Sequence, residues 1–365
     1  MSQLEAWEKV LVDNEDGQFG NSTHGIVGCM ICHEGDSSSP DMATAHTGLL
    51  ADPSSADACS TCHAEIEAHD ESSLHSTLSG FETVIESRGG DLSEGSLLVE
   101  AMGNHCESCH TTCGQCHVSR PDSADGGFLD GHEFEGTPSM TNNCTACHGS
   151  RVGDEYLGQN SGVKADVHRR KGMQCYTCHS VELHGSGELE ADRYHNSESI
   201  SCEDCHSDVI GTNATNTYHQ IHYNILSCQV CHSVEYKNCY NCHVEQSEEG
   251  TCYYVTDPSV MGFEVGLNPI QSVDRPYEYV VLRHVPVSPA TFASYGDNLL
   301  PDFDATPTWK YATPHNIQLN TPQNDGCNYC HGQEQIFLMP DDVAADELEA
   351  NEDVIVRQVP GVPSE

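Results

Sequence analysis

The chain has 365 residues and a formal net charge of −43, with 14 Lys and Arg against 57 Asp and Glu. So little positive charge leaves no basic patch to neutralise phosphate, which argues against nucleic acid and against an anionic membrane surface as partners. No run is long or apolar enough to span a bilayer, and residues 1–12 lack the basic start and apolar core of a secretion signal.

Leu4, Trp7, Val10 and Leu11 recur at near-helical spacing, so the first 20 residues read as a short helical start. The unit C-x-x-C-H then appears at Cys29, Cys32 and His33 and again at Cys59, Cys62 and His63. The stretches between are rich in Asp, Ser, Ala and Pro and read as loop. Residues 70–100 read as a short helix followed by a turn at Gly89-Gly90. The third and fourth units are nearly fused: Cys106, Cys109 and His110, then Cys113, Cys116 and His117, with only Thr111 and Thr112 between them. After a loop over 122–136 come the fifth to eighth units at near-even spacing, which suggests a linear array. They are Cys144, Cys147 and His148; Cys175, Cys178 and His179; Cys202, Cys205 and His206; and Cys228, Cys231 and His232. The ninth, Cys239, Cys242 and His243, follows six residues later. Residues 244–326 carry no unit. There the run Tyr277–Arg283 and prolines from Pro258 to Pro322 read as a few short strands and long ordered loops. The tenth unit is Cys327, Cys330 and His331, and the acidic stretch 341–365 reads as a tail, disordered unless something such as another copy of the chain ties it down. No linker interrupts the array, so residues 1–365 read as one domain.

Ten such units use 20 of the 21 cysteines and leave only Cys252. With 23 His in 365 residues, a given C-x-x-C is followed by His about one time in sixteen by chance, so ten out of ten is not chance. C-x-x-C-H is the attachment signature of c-type haem. Positions i, i+3 and i+4 lie on one face of a helical turn, so both sulfurs and the imidazole reach one macrocycle. Zinc sites also use C-x-x-C knuckles but need no His after every second Cys, and a thioredoxin-like site needs one motif rather than ten. The expectation is therefore ten haem c groups per chain, held from one side by His33, His63, His110, His117, His148, His179, His206, His232, His243 and His331. About 37 residues serve each motif (365/10), and the apolar content is a lean 37%. Both fit mostly irregular coil with short helices and a few short strands, wrapped around a row of porphyrins and dependent on them for folding. Because c-type haem is attached outside the cytoplasm, the chain reads as the mature form of an exported protein.

Thirteen histidines lie outside the motifs. His24, His46, His75, His105, His132, His168, His184, His195, His219, His222, His284 and His315 are candidates for the second axial position. His69 is the weakest of the thirteen, since His75 lies on the same segment. Two axial imidazoles saturate an iron, which then carries electrons but does not readily take a substrate. That points to an electron-transfer protein with no catalytic residue. Any of the eight Met could replace His at an iron and raise its potential. Cys252 reads as a free thiol, with an intermolecular disulfide or a ligand role as alternatives.

The chain resembles the bacterial and archaeal multihaem c-type cytochromes. Ser227-Cys228-Gln229-Val230-Cys231-His232 followed by Tyr236-Lys237-Asn238-Cys239-Tyr240-Asn241-Cys242-His243 is similar to stretches in exported multihaem cytochromes of metal-respiring and related anaerobes. So is Leu282-Arg283-His284-Val285-Pro286. Within that group, the extracellular cytochromes that polymerise into filaments, or nanowires, match best. The resemblance implies bis-His haems stacked in one continuous chain, copies of itself as the main partner, and redox proteins or extracellular acceptors at its ends. In some of those filaments a His of one subunit completes a haem of the next, a role that His24 or His315 would take by analogy. Two further resemblances are weighed. One is to octahaem enzymes like tetrathionate reductase and hydroxylamine oxidoreductase, which keep one haem open. The other is to decahaem periplasmic subunits that sit in an outer-membrane porin.

Overall fold

A computed structural model describes residues 19–55, 58–77, 79–106, 111–179, 182–185, 200–234, 241–257, 263–273, 275–285 and 288–363. The helical start expected over the first residues lies outside this range, except for its last two positions. Where the motif array reads as one domain, the chain gathers into two compact units. The first comprises 1–79, 106–149 and 174–193; the second comprises 80–105, 150–173 and 194–365. The chain passes between the units five times, so no composition-marked linker separates them.

Secondary structure is a mixture of short helices, short strands and coil, as expected. Most motifs are single helical turns. Helices span Cys29–His33, Cys113–His117 and Cys228–His232, and shorter turns cover Thr145–His148, Cys175–Cys178 and Glu203–His206. The amides of His63, His179, His206 and His331 donate to the carbonyls of Cys59, Cys175, Cys202 and Cys327 at 2.9–3.0 Å. This i to i−4 bond puts the first sulfur and the imidazole on one face. The ninth motif differs, because His243 sits on a strand.

The first unit has almost no apolar core. Among the described residues its only buried hydrophobic side chains other than proline are Val118 and Met140. Meanwhile Ile26, Val27, Met30, Ile31, Met42, Leu49, Ile66 and Phe134 are exposed. Polar bonds carry the load instead. Asn143, buried, donates to the carbonyls of Gln115 at 2.8 Å and Ser119 at 2.9 Å.

The second unit holds the strands. β1 (Asn241–Gln246) pairs antiparallel with β2 (Cys252–Asp257). β3 (Phe263–Leu267), β4 (Tyr279–His284) and β5 (Trp309–Tyr311) form a second antiparallel sheet in that order. The β-prone run of the sequence is thus the central strand. It is buried on both faces, which explains its unbroken apolar Val280-Val281-Leu282. Val280 and Leu282 pack with Trp309, Leu338, Val343, Val354 and Ile355. On the opposite face, Val281 packs with Val230, Val265, Phe337 and Val356.

The acidic tail is held by its own chain. Val354, Ile355 and Val356 are buried, Leu267 N donates to Val354 O at 2.9 Å, and Val356 N donates to Leu338 O at 2.9 Å. Three consecutive apolar residues inside an acidic stretch are what let it add to the sheet's core.

Candidate haem sites

Seven motif histidines each face a histidine from outside the motifs. The ring-centroid separations are 6.2 Å for His63 and His24, 6.0 Å for His33 and His132, and 6.2 Å for His148 and His75. They are 6.1 Å for His117 and His184, 6.1 Å for His206 and His168, 6.1 Å for His232 and His219, and 6.2 Å for His331 and His222. An imidazole nitrogen lies about 2 Å from a metal it ligates and about 1.1 Å from its own ring centre, so two imidazoles on opposite sides of one ion have centroids about 6 Å apart. The spacing fits an iron between each pair. Interplanar angles range from 8° to 83°, which leaves rotation about the axis free while the separation stays fixed.

Backbone carbonyls orient many of these rings. The Nδ1–H groups of His33, His117 and His331 donate to the carbonyls of Leu50 at 2.7 Å, Glu135 at 2.6 Å and Gly361 at 2.7 Å. Those of His219, His222 and His232 reach the carbonyls of Val209 at 2.6 Å, Tyr218 at 3.0 Å and Gln318 at 3.1 Å. His168 uses the Asp166 carboxylate at 3.1 Å. Such bonds fix the tautomer, turn Nε2 outward and raise its basicity. These acceptors are mainly main-chain atoms, so sequence inspection had no residue type to detect them by.

Short capped helices supply several of the outside histidines. Ser22 caps the helix bearing His24 through Gly25 N at 3.0 Å. Asn216 caps Thr217–His222 through Tyr218 N at 2.9 Å, and Asp166 caps Val167–Arg170. Aromatic rings brace others. Phe134 stacks on His24 at 3.9 Å, while Phe128 and Phe19 flank His132 at 4.3 and 5.0 Å. Burial, together with the facing imidazole, holds His24 and His75 below the usual histidine range, and burial with nearby His179 does the same for His148. The neutral ring is the form that binds metal.

The remaining candidates are placed differently. His105 is buried, with Nε2 2.9 Å from the Tyr295 hydroxyl, and Tyr254 donates to its carbonyl. His284 Nε2 lies 3.0 Å from the Glu347 carboxylate and its ring packs on Trp309 at 5.3 Å. Both are sequence candidates for an axial position; here the Nε2 atom of His105 meets a hydroxyl and that of His284 a carboxylate. His46 and His69 are exposed. The His315 amide donates to Glu155 at 2.7 Å. His24, a candidate for crossing an interface, faces His63 of its own chain. His179 lies near His75 and His148. His243 Nδ1 donates to Ala290 O at 3.2 Å from β1. Cys109, His110, His195, Cys239 and the Cys242 side chain lie outside the described residues.

The thiols also meet in pairs. Cys59 lies beside Cys113, Cys144 beside Cys175, and Cys202 beside Cys228. Burial pushes the Cys116 and Cys231 thiols up to about 11. Cys252, on β2, lies 3.8 Å from Gln246 Nε2 and against the Tyr295 hydroxyl. Among the described residues no three of His, Cys, Asp and Glu converge on a metal position, and no helix is long and apolar enough to cross a membrane. Comparison with protein-family models, with curated proteins and with solved structures finds no match.

Proposed function

We propose that this chain is an electron conduit carrying ten covalently attached c-type haems, mostly or all with two axial histidines. The observation that carries the reading is the set of seven imidazole pairs at 6.0–6.2 Å, each joining a motif histidine to a distant one. Pairs, rather than threes or fours, suit a macrocycle that brings its own four equatorial nitrogens. A zinc knuckle would instead need four protein ligands at one point. The coreless first unit and its exposed apolar side chains suit a porphyrin filling.

Bound haem supplies one-electron iron chemistry. The chain does the rest. Its motif cysteines would hold each macrocycle by two thioether bonds, and its paired imidazoles would ligate the iron and keep substrate away from it. Carbonyl acceptors on Nδ1 and the surrounding carboxylates would stabilise the oxidised state and lower the potentials. With 57 acidic residues the field is strongly negative throughout.

We assign it as the subunit of an extracellular filament, working in anaerobic respiration between redox proteins and external acceptors. Visible and EPR spectra of the native protein test the conduit reading. Low-spin, six-coordinate haem is expected. A high-spin, five-coordinate fraction in the native protein would favour a reductase with an open haem. Micrographs at moderate salt, where the surface charge is screened, separate filament from discrete protein.

A further inference from the structure

In the second unit Asp166 is a carboxylate with an exposure of 1%. One of its oxygens accepts from the amides of His168 at 2.7 Å and Arg169 at 3.2 Å, and from the Nδ1–H of His168 at 3.1 Å. The other accepts from Ile317 N at 2.6 Å. These donors satisfy the oxygens, yet among the described residues the ionic partner of Asp166 is His168 itself rather than a Lys or Arg. Glu155, equally buried, is paired with the Arg283 guanidinium. A buried charge without a counter-charge is costly.

The segment around Asp166 is firmly held. Asp166 N donates to Tyr156 O and Val167 N to Ile317 O, both at 3.0 Å. Asn316 donates to the carbonyls of Glu155 at 2.8 Å and Lys164 at 2.7 Å, and Gln318 donates to that of Ala165 at 2.9 Å. Capping Val167–Arg170 does not by itself call for a charge, since neutral Ser, Thr or Asn caps serve as well. Asn216 does so for Thr217–His222 and Ser22 for Thr23–Val27.

What the charge does meet is the imidazole of His168, which stands 6.1 Å from that of His206 in the seventh motif. Rings of the eighth and tenth sites rest on main-chain carbonyls instead: His219 on Val209, His232 on Gln318, His222 on Tyr218 and His331 on Gly361. A carbonyl is a dipole, whereas Asp166 brings a full charge to the back of a ligand. A haem iron with two neutral imidazoles carries, with its porphyrin, one net positive charge when ferric and none when ferrous. A carboxylate fixed behind one ligand therefore favours the ferric form. We propose that Asp166 is a positioning residue that acts through His168 as the counter-charge of the ferric seventh site and lowers its potential, a role that rests on the electron-conduit reading.

Potentiometric titration of the haem-loaded full chain at neutral pH tests this, followed through the low-spin EPR signal that His168→Ala converts to high spin. Asp166→Asn and Asp166→Ser keep a capping oxygen and lose the charge. In both, the seventh site should reduce at a higher potential, by about tenfold in the oxidised-to-reduced ratio, or about 59 mV for one electron. Asp166→Glu keeps the charge and should hold the potential near the native value. An unshifted potential in the neutral variants, or an equal shift in all three as a purely structural cap would give, would overturn the proposal. A seventh motif without haem in the native chain would overturn the conduit reading beneath it, so the two failures are distinguishable.

Discussion

Replacing His132 with Ala isolates one site. Its ring faces His33 at 6.0 Å, and His33 is fixed from behind by the Leu50 carbonyl at 2.7 Å. The substitution therefore removes one axial ligand and leaves the proximal side in place. The rings of Phe128 and Phe19 stood 4.3 and 5.0 Å from the lost imidazole. Neither can ligate iron, so the site becomes five-coordinate. One of ten motifs is affected, so the high-spin ferric EPR signal should account for about a tenth of total haem. Added imidazole should restore the low-spin spectrum. His69→Ala, which removes an exposed ring, should leave the spectrum unchanged. An unaltered spectrum in H132A, with haem content preserved, would refute the pairing.

Three further outcomes follow from the packing and the electrostatics. Ile355 is buried in the core around β4, so Ile355→Ala should lower stability by about 2–5 kcal/mol in denaturant titration, despite its place in an acidic tail. A Cβ on Gly266 would stand 2.2 Å from Leu282 Cδ1 and 2.7 Å from Val354 O; Gly266→Ala should cost about 1–3 kcal/mol and lower the melting temperature. Burial holds the folded-state pKa values of His24, His75 and His148 below the usual histidine range. The unfolded chain then binds more protons than the folded one, so stability should fall as pH drops below about 6.5, read as a declining melting temperature between neutral and mildly acid buffer. A melting temperature that rises in that window would contradict the buried neutral rings.

Much of the motif geometry was legible in the sequence because it is local. Two sulfurs and an imidazole within five residues specify a turn, and that turn forms at most motifs. The run Tyr277–Arg283 announced a strand by its β-branched and aromatic content, and it became the centre of a sheet. Long-range pairing was not legible. His75 reaches His148 and His132 reaches His33 across large sequence separations, and which outside histidine meets which motif depends on how the coil between them closes. The contacts of His105 with Tyr295 and of His284 with Glu347, partners distant in sequence, were not legible either. The tail misled by composition: its acidic residues mask the buried Val354-Ile355-Val356. The division into two units left no mark because the chain crosses between them repeatedly.

The central claim is that this chain holds ten bis-histidine haems. Its most direct test is a haemochrome and iron count on the native protein, paired with low-temperature EPR of the oxidised form. Ten irons per chain, each in porphyrin and nearly all low-spin, are the predicted result. Zinc in place of iron, or a haem count of two or three with most cysteines free, would contradict it.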